Sequence, residues 1–210
     1  MDNTKQHWLN TFQTNIERNR QLQFSKNFAL SFIEGDEPRA EMFTLKDIVD
    51  NSDKETCLAF VIDKREPIYE AVAKKPKVSA MIYFPLTKEK YVFQSHAEII
   101  NSADNELVKK VWNKDLCQEE RNNFTRSRPN DLKVVQPETY NPQDIEKISV
   151  NFAVLLLSPL VIEHALLKMP EVVADARNPV FESEFRPYKK EKKYRFEKKD
   201  TEWTMKEVNP

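Results

Sequence analysis

The sequence predicts a mainly β protein (β+α), an antiparallel sheet that closes into a small barrel with helices at its periphery. Three observations carry this. The stretch 75–100, KPKVSAMIYFPLTKEKYVFQSHAEII, holds two extended runs separated by Pro85, Leu86 and Thr87, which reads as a β-hairpin. In its second run Tyr91, Phe93 and Ser95 share one face while Lys90, Val92, Gln94 and His96 share the other, the alternation of a strand with one buried side. The run 148–157 is the most apolar of the chain, and further short extended runs bring the total to eight or so strands. A twisted sheet of that many strands tends to close, because closure removes exposed edges.

In order along the chain, Asn3 or Thr4 caps a first helix whose Trp8, Leu9, Phe12 and Ile16 recur at helical spacing. Residues 28–33 read as a strand, 34–37 as a turn in which Gly35 takes a positive φ, and 39–45 as the returning strand. Residues 47–55 are polar and turn-like, 57–62 form a third strand, and 66–74 form a short helix with Ile68, Tyr69 and Val72 on one side, stopped by Pro76. After the hairpin, 104–111 reads as a helix with Ser102 as its cap. Trp112, Leu116 and Phe124 extend the apolar contacts, and 121–136 is a polar surface excursion. The apolar run and the alternating Val161, Glu163 and Ala165 beyond Pro159 read as two adjacent strands, with 160–168 equally open to a helical reading. Three short strands follow at 180–185, 193–196 and 203–208. No repeat or linker divides the chain, so 1–210 reads as one domain.

The composition excludes several classes. Lys and Arg number 33 against 34 Asp and Glu, so no global field points to nucleic acid or an anionic membrane. No run approaches the roughly 18 apolar residues of a membrane span, and the residues after Met1 do not resemble a secretion signal. Cys57 and Cys117 stand alone, which supports neither a zinc cluster nor a disulfide framework and fits a reducing compartment, the cytoplasm. Cys57, in an apolar strand context, reads as an inert thiol. His7, His96 and His164 lack a second ligand at metal-binding spacing, so no metal site is expected. Gly35 is the single glycine where an average composition gives about 15, so glycine-rich phosphate loops are ruled out.

Two basic groupings remain. The segment 186–199, RPYKKEKKYRFEKK, opened by Arg186 and closed by Lys199, carries eight basic and two acidic side chains. It reads as a solvated strand–turn–strand, as the chain's one candidate nucleic-acid contact, or through 189–193 as a nuclear-import signal. Arg39, Lys46, Lys64 and Arg65 fall at or near strand ends that a meander brings together, a sound arrangement for gripping phosphate.

The order of Trp8-Leu9, Pro38-x-x-x-x-Phe43, Phe60-x-x-Asp63-x-Arg65, the helix to Pro76, and Tyr83-Phe84-Pro85-x-Thr87-Lys88-Glu89-x-Tyr91 resembles the FMN-binding split-barrel proteins related to pyridoxamine 5'-phosphate oxidase. The likeness is to the branch of cyanobacterial and fungal oxidase-like proteins, and it runs on through 151–161 to Trp203 and Pro210. It implies an antiparallel split β-barrel and a homodimer with FMN held at the subunit interface. It also implies oxidation of a pyridoxamine or pyridoxine phosphate by the flavin.

Position by position, the resemblance puts the cofactor-binding set at Arg39, Thr44, Lys46, Asp63, Arg65, Glu66, Lys88 and Lys90; it assigns no catalytic residue. Arg39 matches the family's first arginine. Thr44 falls where a basic residue is usual, with Lys46 as its substitute. Asp63 and Arg65 match the phosphate-gripping segment, whose threonine, serine and lysine have become Ile62, Glu66 and Ile68. The family's flavin-contacting glutamine is Lys90, and its glycine is Ser95. Three readings follow: an FMN-binding protein and flavin oxidoreductase with a degraded clamp; a dimeric split barrel that has lost flavin and binds another ligand or partner; and a nucleic-acid or partner-binding module using the basic segment.

Overall fold

The alternation in the hairpin becomes two long strands, and the rest of the sheet assembles on them. In the computed structural model the described residues are 3–50, 55–125, 147–167, 191–200 and 202–209. They form α1 (Asn3–Arg18), β1 (Asn27–Glu34), β2 (Glu37–Thr44), β3 (Asp47–Asp50), β4 (Thr56–Asp63), α2 (Pro67–Lys74), β5 (Lys77–Phe84) and β6 (Glu89–Ile100). Then come α3 (Glu106–Lys110), one π-helical turn (Val111–Asp115), α4 (Gln118–Asn123), β7 (Phe152–Leu166), β8 (Lys192–Lys199) and β9 (Glu202–Val208). The strand expected at 180–185 and the stretch 126–136 lie outside the described residues.

The strands follow the hydrogen-bonded order β2-β1-β5-β6-β7-β4-β3, with β8 on β7 and β9 on β8. The β1–β2, β3–β4, β4–β7, β7–β8 and β8–β9 pairs are antiparallel. Two compact units interleave along the chain. One takes Met1–Ser25, Met81–Val92 and Val161–Pro210, and the other Lys26–Ala80 and Phe93–Leu160.

In the second unit β4 is buried on both faces. Cys57 and Ala59 join Phe152, Val154 and Leu156 of β7 against Val108, Val111, Trp112, Leu116 and Phe124. From the neighbouring residue of β4, Phe60 meets Phe28 edge-on at 5.2 Å. Each large side chain buried this way contributes about 1.5–3 kcal/mol. In the first unit Trp8 and Phe12 of α1 are buried, Phe12 against Phe84 and Tyr91 and Trp8 against Trp203.

Several expectations need correction. Residues 47–50, read as turn, form β3: Ile48 and Val49 pair with Leu58 and Cys57 and extend the ladder by one short strand. The helix expected from residue 104 begins at Glu106, because Asn105 rather than Ser102 caps it, its side chain accepting from the amides of Leu107 and Val108. Residues 121–123, read as the start of a surface excursion, are instead the end of helix α4. The two strands read across Pro159 are one strand, β7, and the helical alternative falls with them. Its residues up to Leu157 pair with β4 and those from Val161 pair with β8, so Pro159 sits at the change of partner, where its missing N–H breaks neither ladder.

Closure is also corrected. The ladder ends at β2 and β3 without joining them. Between these strands the chain crosses in two residues: the Leu45 amide donates to Lys26 and the Lys46 amide to Ala59. Successive amides therefore bond to opposite sides of a seam. Among the described residues no helix is long and apolar enough to cross a membrane.

Candidate functional site

Two clefts of the second unit gather most of the candidate residues. The end of β2, the seam, the end of β4 and α4 enclose one of about 270 Å³, lined by Thr44, Lys46, Asp63, Glu66, Glu120 and Asn123 over an apolar wall that includes Phe43 and Phe124. The crossing of the seam aims Lys46 inward. Its backbone is fixed to Ala59, and its side chain is only 12% exposed. Glu66 is placed by the turn that ends β4: its amide donates to the Asp63 carbonyl, and Pro67 starts α2 behind it. Glu66 also lines the second cleft, about 290 Å³, with Lys64, Arg65, Lys74 and Lys75.

The charges of the first cleft are largely spoken for. Lys46 Nζ lies 2.5 Å from Glu120 Oε1. Asp63, nearly buried, holds Arg65 three ways: Oδ1 accepts from the Arg65 amide at 2.8 Å and from Nε at 2.9 Å, and Oδ2 from Nη2 at 2.6 Å. Nη2 also donates to the Asn123 carbonyl at 3.2 Å. Arg65 thus ties the end of β4 to α4. Thr44 donates its hydroxyl to Asn27 Oδ1 at 2.9 Å.

Burial pushes the Glu66 carboxyl above its ordinary value, and the nearby Asp63 and Glu41 carboxylates add to that. Burial works in the same direction on Glu120. There, however, the Lys46 ammonium and the Cys117 amide prevail and hold the carboxyl below its ordinary value.

The other candidates stand apart from these clefts. Arg39 is exposed on β2 and paired with Glu34 at 2.8 Å. Lys88 and Lys90 belong to the first unit, Lys88 in the turn between β5 and β6 with φ 56° and its carbonyl accepting from the Leu167 amide. Ile62 and Ile68, standing where the resemblance has phosphate-facing residues, are buried in the core and line neither cleft. In the basic segment Lys193 and Arg195 pair with Glu163 of β7, and Arg195 with Glu197 of its own strand; residues 186–190 lie outside the described residues.

Sequence reasoning missed Glu120 and Asn123. A signal was present, since Glu120 lies three residues after Cys117 and its Oε2 accepts from the Cys117 amide at 3.0 Å, as in a helix-starting capping box.

A mostly antiparallel, unclosed sheet with a few helices is the split-barrel fold of pyridoxamine 5'-phosphate oxidase-like proteins. A pyridoxamine 5'-phosphate oxidase-related, FMN binding protein from Nostoc punctiforme superposes with a TM-score of 0.75 at 20% identity, over 97% of each chain. PhzG from Burkholderia lata, solved in complex with tetrahydrophenazine-1-carboxylic acid, superposes at 0.64 and 11% identity, over 98% of this chain and 90% of its own. In sequence, residues 5–101 match the family model described as pyridoxamine 5'-phosphate oxidase, FMN-binding domain. No curated protein matches the chain.

Proposed function

We propose that residues 1–210 form one FMN-binding domain of the oxidase-like branch found in cyanobacteria and fungi, working as a cytoplasmic homodimeric flavin oxidoreductase. The observation that carries this is the convergence of Thr44, Lys46, Asp63 and Glu66 on one cleft of 270 Å³. All four come from the stretch matched to an FMN-binding domain. An ammonium aimed inward, a hydroxyl and an amide side chain suit a phosphate end, and aromatic rings close one side. Of the three carboxylates that oppose a phosphate there, Asp63 and Glu120 are already paired with Arg65 and Lys46, and Glu66 remains. When bound, FMN would supply hydride acceptance. The chain's own part is to hold the phosphate at Lys46 and shield it with Phe43 and Phe124. The edge strand β2, exposed from Glu37 to Met42, supports a dimer. The apolar residues that suggested one in the sequence, Tyr91, Phe93 and 152–157, are instead buried within the chain.

One observation favours a second reading, a split barrel that has given up flavin. Arg65 is held by Asp63 and Lys46 by Glu120, so both cations nearest the cleft already have partners. The absorption spectrum of protein purified in the dark separates the two. The visible absorption bands of an oxidised flavin support the flavoprotein; a spectrum with protein absorption alone, unchanged after incubation with FMN, supports the second reading.

A further inference from the structure

The two ion pairs beside the first cleft differ in kind. Asp63 is 6% exposed and grips Arg65 through two guanidinium nitrogens and its amide, so neither partner can turn away without leaving a buried charge. Glu120 is 41% exposed at the end of a flexible side chain on a six-residue helix. It can swing into water by side-chain rotation, giving up to water the bond from the Cys117 amide at 3.0 Å along with the one to Lys46. Lys46 cannot follow, being 12% exposed with its backbone bonded to Ala59. Among the described residues Glu120 is the one carboxylate within ion-pair distance of Lys46.

We propose that Glu120 is a displaceable internal counter-ion, occupying at Lys46 the place that an oxygen of a phosphomonoester takes when ligand binds. This deepens the flavin reading and rests on the same cleft. The exchange is physically balanced. Lys46 trades a single carboxylate charge for a phosphate carrying up to two, and Glu120 is rehydrated instead of buried unpaired. The carboxyl's lowered proton affinity agrees with a charge held in place by Lys46. Glu120 therefore sets how strongly the cleft selects phosphorylated ligands. It makes every such ligand compete with an anion already inside, whereas a ligand lacking phosphate meets no such competition.

The test is calorimetric titration of inorganic phosphate, FMN and riboflavin into the wild type, Glu120→Gln, Glu120→Ala and Lys46→Met, with circular dichroism checking that each is folded. Glu120→Gln keeps the side chain's shape, and Glu120→Ala supplies a second reading of the same loss. Both should bind inorganic phosphate about tenfold or more tighter than the wild type. FMN should gain in parallel, riboflavin should not, and Lys46→Met should abolish the phosphate response. Unchanged phosphate affinity in both Glu120 variants, no phosphate binding by any variant, or an equal gain for riboflavin would overturn the proposal. FMN binding to wild type that ignores Glu120 would leave the flavin reading standing and this one refuted. A phosphate response that follows Glu120, with no flavin bound by any variant, would do the reverse.

Discussion

Tyr91 lies flat on His164, ring centroids 4.3 Å apart and planes 7° from parallel, and both residues close on the carboxylate of Glu89. His164 Nε2 is 2.6 Å from Glu89 Oε2, Asn15 donates to the same oxygen at 2.7 Å, and the Tyr91 hydroxyl stands 3.4 Å away. Burial alone raises the Glu89 carboxyl, but the His164 and Asn15 hydrogen bonds outweigh it and hold the group below its ordinary value. Burial also pushes the Tyr91 hydroxyl upward, so it stays a neutral donor. Because the folded state lowers the Glu89 value, its stabilisation is complete above the ordinary carboxylate value of 4.5 and lost as pH falls through the lower folded value. Glu89→Gln should lower the melting temperature at pH 7 by several degrees, about 1–3 kcal/mol, and the gap should close on acidification below that range. A gap that persists unchanged into acid would show that the charge plays no part.

Glu66 has the opposite sign. Its folded value is raised, so the stability linked to it is full below 4.5 and declines as pH rises through the folded value. Glu66→Gln should melt about 1–3 °C higher than wild type at pH 7–8 and at the same temperature near pH 4. Thermal unfolding across that range measures both points, and a variant less stable than wild type at neutral pH would refute the assignment.

Ser95 is 2% exposed, and its hydroxyl has no hydrogen-bond partner among the described residues. A buried unpaired hydroxyl costs on the order of 1–3 kcal/mol, so Ser95→Ala should leave stability unchanged or raise it by about 1 kcal/mol in urea unfolding. A clear loss would reveal a partner for that oxygen.

Strand β9 pairs with β8 along its length, from Glu202 opposite Lys199 to Val208 opposite Lys193, and buries Trp203 5.6 Å from Trp8. Trp203→Ala should cost about 3–5 kcal/mol, and truncation after Lys199 should lower the melting temperature by several degrees or abolish soluble expression. An unchanged melt would mean that β9 is dispensable.

The fold was legible where one periodicity held and one face was buried. In β6 the alternation of Tyr91, Phe93 and Ser95 with exposed Gln94 and His96 matches the burial residue by residue. Strand β3 escaped notice because only Ile48 and Val49, between two aspartates, mark it. Strand β7 looked divided because proline usually ends a strand, and no local pattern announces a change of pairing partner. The cleft was legible in part for a related reason. Thr44, Lys46, Asp63 and Glu66 lie near strand ends that the β1–β4 meander gathers. The partners that neutralise the cations are of two kinds: Asp63 lies two residues before Arg65, whereas Glu120 comes from 74 residues beyond Lys46. Only the packing of Trp112, Leu116 and Phe124 on β4 and β7 brings α4 there.

Fluorescence titration of FMN against riboflavin, with wild type and Lys46→Met, asks of the protein itself where a flavin phosphate is held. If the cleft at the seam holds the flavin phosphate, wild type binds FMN more tightly than riboflavin, and Lys46→Met erases that preference while leaving riboflavin affinity as it was. Equal affinity for the two flavins in wild type, or a preference for FMN that survives in Lys46→Met, would contradict it.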